Sequence, residues 1–216
     1  MMPRREEAAG RGAARGPADE LPAAARRSLD AYLDLLEKWN RVYNLTAIRA
    51  RGDMAALHVE DALAVLPWLP DRPGLRVLDV GSGGGVPGIP LAIARPHARF
   101  TLIDANGKKT TFLAQAAIEL GLSNVRVVTG RVEAFEPDAS FDIVIARAFS
   151  DLATLTAVAL PRLADDGFVI AMKGVLPLDE LAALPAAVQV VATPALDVPG
   201  VDAERHLVII KKRIPT

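Results

Sequence analysis

The apolar positions of the chain follow two different periods, and the change between them comes near residue 75. Before it, apolar residues recur every three or four positions, which predicts an amphipathic helix. These residues are Leu29, Tyr32, Leu33, Leu36, Trp39 and Tyr43. Residues 53–66 show the same spacing and predict a second helix, which Pro67 and the turn at 70–74 close.

From residue 75 onward, short apolar runs alternate with helical stretches. Strands are predicted at 75–80, 99–104, 125–129, 141–146, 167–172, 188–192 and 206–212, and helices between the first six at about 88–95, 107–120, 151–163 and 177–184. Continuously apolar strands are typical of a parallel sheet covered by helices on both faces. The pattern predicts a doubly wound, Rossmann-like α/β fold.

The connection before the last predicted strand differs from most of the earlier ones in having no predicted helix. Residues 193–205 contain Pro194, Pro199 and Gly200 and show no helical pattern. A hairpin there makes the seventh strand antiparallel in an otherwise parallel sheet. Such a sheet fits class I methyltransferases that use S-adenosylmethionine (AdoMet) better than a purely parallel nucleotide-binding fold.

Three segments are expected along the chain. Residues 1–20 are rich in Ala, Arg, Gly and Pro and lack apolar periodicity, so a disordered tail is predicted. Residues 21–70 form a helical element packed on the main domain, and residues 71–216 form the AdoMet-binding methyltransferase domain.

Composition removes several classes of chemistry. Without cysteine, the chain has no disulfide, no thiolate-bound metal and no cysteine nucleophile, such as the one that attacks pyrimidine C5 in one class of methyltransferase. Three scattered histidines do not suggest a metal site. The net charge of −1 argues mildly against a nucleic-acid partner, so any RNA surface must be local.

No apolar run approaches the length of a membrane span, about 20 residues. The N-terminal arginines have no apolar stretch behind them, as a secretory signal would require. A cytoplasmic protein with no membrane partner is expected.

The most informative segment is 77–88, VLDVGSGGGVPG, where a strand runs into glycines and then a helix. A dinucleotide fingerprint needs a third glycine where Val86 stands. The loop instead has an acid, Asp79, followed by alternate glycines that include Gly81 and Gly83, the form typical of AdoMet sites. AdoMet carries an ammonium that Asp79 can anchor through water or backbone groups. Ser82, inside the loop, is expected to be part of this site, and AdoMet is favoured over NAD.

Two further segments are expected to hold adenosine. Asp104 ends the second strand, where a carboxylate can bind both ribose hydroxyls; the alternative is an N-cap for the helix at 107–120. Val132 and Glu133 follow the third strand, where the adenine is usually held. Val132 can pack on the ring, whereas Glu133 could equally be a solvated residue at a helix start.

The fourth strand ends in Arg147, and residues 148–151 lack the Asn/Asp-Pro-Pro-aromatic motif of adenine amino-methyltransferases. A nucleophile that needs no deprotonation is therefore attractive. Guanine N7 has a free lone pair at neutral pH, so no catalytic base is expected. Alignment would supply much of the rate, and the cofactor brings the electrophile. Arg147 could bind the cofactor or the base; its alternative is an ion pair with Asp151 or Asp104.

Several stretches resemble one family: KWNRVYNLT at 38–46, HVEDAL at 58–63, LDVGSGGGVPGIPLAI at 78–93 and ERHLV at 204–208, together with GRVEAF, IARAF and MKG in the same order. They are similar to bacterial small-subunit rRNA guanine-N7 methyltransferases, also called the glucose-inhibited division protein B family. The likeness covers roughly residues 25–212. In one departure, residues 82–85 read SGGG, where the family often has TGPG or SGAG.

The resemblance implies AdoMet-dependent formation of N7-methylguanosine in the decoding-region hairpin of 16S rRNA. It implies cofactor contacts from Gly81, Val86, Val132, Glu133 and Arg147. The partner would be 16S rRNA or the small ribosomal subunit, and a monomer is expected.

Basic residues on the expected active-site edge are candidates for RNA contact. Lys173 ends the fifth strand, and Arg205 and His206 begin the seventh. Each could instead be a solvated charge. Two other functions stay open from the residues alone: an AdoMet-dependent small-molecule methyltransferase, and a nucleotide-sensing module without chemistry.

Overall fold

The computed structural model describes residues 16–213. The strands are β1 Arg76–Val80, β2 Arg99–Asp104, β3 Val125–Thr129, β4 Phe141–Arg147, β5 Leu163–Lys173, β6 Val188–Ala192 and β7 His206–Lys212. The α-helices are α1 Ala23–Tyr43, α2 Arg51–Met54, α3 Asp61–Leu63, α4 Gly88–Ala94, α5 Gly107–Glu119, α6 Leu152–Ala159 and α7 Leu178–Ala182. A π-helix, Ala55–Glu60, joins α2 to α3.

The seven strands form one sheet in the order β3-β2-β1-β4-β5-β7-β6. Strands β1 to β5 are parallel, whereas β7 runs antiparallel to both β5 and β6. The predicted fold class is therefore confirmed, including the antiparallel last strand. Apolar side chains bury on both faces of the sheet, which gives two hydrophobic clusters. Parallel strands bring their carboxyl ends to one edge, where open α/β sheets bind ligands.

The N-terminal helices join one of these clusters. Leu29, Tyr32, Leu33 and Leu36 of α1 are buried, as the spacing predicts. Trp39 packs its ring on Phe112 of α5, with 5.7 Å between the ring centroids. Tyr43 is 42% exposed and lies outside the core, although the helical spacing puts it near the same face as the buried residues of α1.

Among the predicted boundaries, three differ most from the structure. Pro17–Glu20 forms a 3-10 helix, and the amide of Ala18 donates to the Glu60 carboxylate, so the predicted disordered tail does not extend to residue 20. The prediction for residues 1–15 lies outside the described residues. Strand β5 begins at Leu163 instead of 167, because Leu163 pairs with Phe141 before a bulge. The predicted helix at 151–163 ends at Ala159 and is followed by a 3-10 turn.

Candidate active site

The glycine loop links β1 to α4 at the carboxyl edge of the sheet. The amides of Gly81 and Ser82 both donate to the Ile103 carbonyl at the end of β2, at 2.9 and 3.1 Å. Gly81 has φ +72°, a conformation that L side chains rarely adopt, and no atom lies within 4 Å of the place where its Cβ would be. A ligand can therefore approach this backbone closely.

Asp79 lies beneath the loop and is fully buried. One carboxylate oxygen, Oδ2, accepts the Gly88 amide at 3.0 Å, whereas Oδ1 has no hydrogen-bond partner. Burial raises the pKa of Asp79 to about 7, against the lowering effect of the Gly88 amide. A buried carboxylate with one free oxygen is an unsatisfied acceptor, which a cationic or amide ligand would stabilise.

Asp104 fixes the other side of the loop. Its Oδ2 accepts the Gly83 amide at 2.9 Å, and its Oδ1 accepts the Asn106 amide at 2.8 Å. The alternative role as N-cap of α5 is wrong, because the Asn106 side chain caps that helix by accepting the Lys108 amide. The short polar side chain of Asn106 stands one residue before the helix, where N-caps are favoured.

Asp104 lines a cleft of about 160 Å³ together with several of the predicted cofactor residues. Val132 is buried in its wall and Glu133 is exposed. Sequence reasoning did not assign Phe149, which also faces the cleft. The lining is Val80, Gly81, Ile103, Asp104, Ala105, Gly130, Arg131, Val132, Glu133 and Phe149.

Five predicted cofactor residues lie outside this lining: Asp79, Ser82, Gly83, Val86 and Arg147. Arg147 lines the neighbouring cavity instead, so its contact with the cofactor stays a prediction. Ser82 is 2% exposed, and its hydroxyl donates to the Asp79 carbonyl at 2.9 Å, which tightens the turn. Val86 is 5% exposed and belongs to the hydrophobic cluster under the loop. A direct contact between either side chain and the cofactor stays a prediction.

Ala148 separates this cleft from a second cavity. It has φ +55°, which is uncommon for a residue other than glycine and marks local strain of the kind found at functional sites. On one side of it, Phe149 faces the cleft; on the other, Arg147 lines a cavity of about 310 Å³. The residues on either side of Ala148 thus line two different cavities: Arg147 lines the larger one and Phe149 lines the cleft.

The second cavity brings together three cations that the sequence places far apart. It is lined by Asp61, Arg147, Ala148, Met172, Lys173, Gly174 and Arg205. Lys173 contacts both oxygens of Glu180, at 2.8 and 3.1 Å, and Arg205 Nε donates to Asp61 at 3.0 Å. His206 lies beside it, with Nδ1 2.8 Å from the Gly174 carbonyl oxygen.

Arg147 pairs with neither Asp151 nor Asp104, so that alternative is wrong. Instead, its guanidinium donates to the Leu57 carbonyl at 2.6 Å and contacts Asp61 at 3.4 Å. Both acceptors lie in the segment 53–66, for which the apolar spacing predicts a helix but does not indicate that part of it is a π-helix. Helices of this type occur often at functional sites.

His58 belongs to the same network. It is 3% exposed, and its Nδ1 lies 3.2 Å from Arg147 Nη2. Nδ1 also lies 3.1 Å from the Leu57 carbonyl oxygen, and Nε2 lies 3.0 Å from the Thr46 hydroxyl. Since arginine only donates, the contact with Arg147 is a hydrogen bond when Nδ1 carries no proton. Burial, and then the Arg147 charge, lower the pKa of His58 to about 4, so the ring is neutral at physiological pH.

Comparison with known proteins places this site in a family. The model of the rRNA small subunit methyltransferase G family matches residues 25–208. The chain belongs to this family. It is 57% identical over 177 residues to the ribosomal RNA small subunit methyltransferase G of Laribacter hongkongensis, covering 82% of this chain and 84% of that protein. The Neisseria gonorrhoeae protein of the same name is 51% identical over 212 residues, which are 98% of this chain and all of the relative.

Solved structures agree on the fold. A ribosomal protein L11 methylase from Lactobacillus delbrueckii subsp. bulgaricus superimposes with a TM-score of 0.55 at 19% identity, covering 73% of this chain and 79% of that chain. Membership of the rRNA small subunit methyltransferase G family makes the chain an AdoMet-dependent methyltransferase, and its fold is of class I. The residues fit this cofactor at two points: the backbone at Gly81 is open on the side of the cleft, and Asp79, buried beneath the loop and outside the cleft lining, has an unpaired Oδ1.

Two features are absent from the described residues. Within residues 16–213, no helix is both long and apolar enough to cross a membrane. The same residues contain no group of three or more His, Asp or Glu side chains placed to hold a metal ion.

Proposed function

We propose that the chain transfers the methyl group of AdoMet to N7 of one guanine in the decoding-region hairpin of 16S rRNA. The observation that carries this proposal is the adjacency of two spaces at one sheet edge. The cleft with Gly81 and Asp104 suits the cofactor, and the cavity with Arg147 and Lys173 suits an anionic chain. Arg147 at the end of β4 lines one space and Phe149, two residues later, lines the other.

In the cleft, the residues of the chain bind and orient the cofactor. Asp104 would hold the ribose and Val132 would pack against the adenine, whereas Asp79, beneath the loop, would hold the ammonium end through Oδ1 or a bridging group. When bound, AdoMet supplies an electrophilic methyl group on a sulfonium sulfur. Asp104 already holds the Gly83 amide, so cofactor binding and loop conformation are coupled through one carboxylate.

In the second cavity, Arg147, Lys173 and Arg205 hold the RNA so that the target base enters beside Phe149. An unpaired base can be turned out of its stack, held by stacking and read at its edges. N7 needs no proton removed, so the protein contributes by alignment and by exclusion of water. The neutral His58 ring serves to orient Arg147 and not to transfer a proton.

We also propose that the protein acts as a monomer in the cytoplasm, where it meets 16S rRNA or the small ribosomal subunit. The overall charge of −1 requires the RNA to be held locally. The cations around the second cavity suit this purpose.

The test is methyl transfer from labelled AdoMet to 16S rRNA that lacks the modification, followed by digestion to nucleosides. Labelled N7-methylguanosine is the expected product. Gly81→Ala forces a Cβ into a left-handed backbone at φ +72°, and we expect it to abolish labelling. Gly52→Ala is the matched control, since its Cβ meets no atom within 4 Å and its φ is ordinary. Label in another nucleoside, or in small molecules only, would overturn the proposal.

A further inference from the structure

We propose that Asp61 is a positioning residue that sets Arg147 and Arg205 side by side as one clamp for the phosphate next to the target guanine. This inference rests on the proposed function, because it assigns a role within the same RNA-binding cavity. It gives the N-terminal helices a direct part in substrate binding.

The contacts of Asp61 define the clamp. Asp61 is 3% exposed, and each of its carboxylate oxygens faces a different arginine. Oδ1 lies 3.0 Å from Arg205 Nε, and Oδ2 lies 3.4 Å from Arg147 Nη1. The three residues come from α3, from the end of β4 and from the residue before β7. One buried carboxylate therefore joins three separate parts of the fold at the cavity wall.

Each guanidinium has a further anchor and an open side. Arg147 donates to the Leu57 carbonyl at 2.6 Å, and Arg205 donates to the Glu204 carbonyl at 2.8 Å. The two side chains remain 26% and 22% exposed, and both line the cavity. A guanidinium has five N–H donors, so each arginine retains donors for a ligand after these contacts.

The charges around the cavity favour an anion. Two arginines held close together repel each other, and a carboxylate between them removes most of that cost. Asp61 neutralises one of the two charges, and Glu180 neutralises Lys173, so the group keeps one net positive charge.

Among the parts of a nucleotide, only the phosphate is charged and takes a guanidinium fork with two parallel hydrogen bonds. The base is neutral, and its N7 must stay free of donors to accept the methyl group. The phosphate is therefore the group that the clamp fits best.

Asp61→Asn tests the inference, because it keeps the size of the side chain and removes its charge. We expect the KM for unmodified 16S rRNA to rise roughly ten- to hundredfold, since small misplacements of binding groups have effects of that order. The affinity for AdoMet, measured by calorimetry without RNA, should stay within about twofold of the wild-type value. The slope of log KM against log salt should become shallower, since fewer phosphate contacts are made.

Two comparisons separate positioning from general stability. Asp142→Asn breaks another ion pair with an arginine, Arg72 at 2.6 Å, that lies outside the cavity, and it should leave RNA binding unchanged. Arg205→Gln should raise the KM by itself but add little to Asp61→Asn, because both act through one clamp. Arg205→Lys keeps the charge and loses the fork, and it should also raise the KM.

The inference is overturned if Asp61→Asn leaves the KM and the salt slope at their wild-type values. It is overturned equally if Asp61→Asn and Arg205→Gln act additively, or if Asp61→Asn weakens AdoMet binding as much as RNA binding. A wild-type protein that labels no RNA would instead refute the proposed function. The two failures are therefore distinguishable.

Discussion

The hydroxyl of Tyr32 donates a hydrogen bond to the Gly84 carbonyl across 2.7 Å, between residues 52 positions apart. Tyr32 is fully buried in α1, and Gly84 lies in the glycine loop. Leu36, one turn later, packs so closely that a Cβ on Gly84 would come within 3.2 Å of its methyl group. Helix α1 therefore supports the cofactor loop from outside the methyltransferase sheet.

Tyr32→Phe should loosen the loop without leaving a cavity. It removes the donor and leaves a partly buried carbonyl without this partner, which costs at most about 1–3 kcal/mol. We expect the free energy of unfolding to fall by that amount and the Kd for AdoMet to rise severalfold. Urea unfolding and calorimetry measure the two effects. An unchanged Kd together with lower stability would show that the loop does not depend on this contact.

Gly88→Ala should abolish AdoMet binding. The added Cβ would lie 2.6 Å from Asp79 Oδ2 and 2.9 Å from Leu102, so the carboxylate must leave its place. Gly107→Ala is the matched control, because it also lies at a helix start but its Cβ meets no atom within 4 Å. Thermal unfolding and AdoMet titration should separate the two variants clearly; equal behaviour would contradict the account of Asp79.

The stability of the protein without cofactor should depend on Asp79. Its pKa of about 7 in the folded state exceeds the ordinary 3.8, so the folded protein keeps a proton that the unfolded chain loses. The stability that this proton provides is complete below pH 3.8 and is lost as pH rises to about 7, by at most about 1.4 kcal/mol per pH unit. Asp79→Asn should remove this component, which unfolding curves between pH 4 and 8 would show.

The same ionisation should govern cofactor affinity. The AdoMet ammonium interacts with the carboxylate form of Asp79, so wild-type affinity should increase between pH 6 and 7.5. Asp79→Asn should bind weakly at every pH in that range. A wild-type Kd that does not vary with pH would mean that Asp79 keeps its charge in the protein without ligand.

His58 should produce the opposite trend in stability. Its folded pKa of about 4 lies below the ordinary 6.5, so the unfolded chain takes up a proton that the folded protein excludes. Stability from this residue is present above pH 6.5 and is lost as pH falls towards 4. Compared with the wild type, His58→Gln should lose less stability over that interval. Equal losses in the two proteins would indicate that His58 is protonated in the folded state.

Much of the fold follows from local pattern. The ends of β2, β3, β6 and β7 agree with the predicted ranges, because short apolar runs between turns define strands well. The start of β5 was harder to predict, because Asp165 and Asp166 resemble a loop in composition although they continue the strand. The π-helix could not be predicted, because apolar spacing of three to four does not distinguish it from an α-helix.

The candidate site was predicted only in part. The role of the glycine loop follows from residue type, since its conformation depends on what L side chains cannot adopt. The clamp around Asp61 could not be derived from spacing, because its members are 86 and 144 residues away along the chain. The motif HVEDAL had marked Asp61 only as part of a resemblance. Long-range ion pairs of this kind become visible only when the elements are placed together.

The most direct test of the central claim is to map the methylated position in RNA. Unmodified 16S rRNA and small subunits that lack the modification would be incubated with the protein and AdoMet, reduced and cleaved with aniline, which breaks the chain at N7-methylguanosine. The account predicts one cleavage, in the decoding-region hairpin, and its loss with Gly88→Ala. AdoMet binding without any cleavage in either substrate would contradict the assignment and favour a small-molecule substrate.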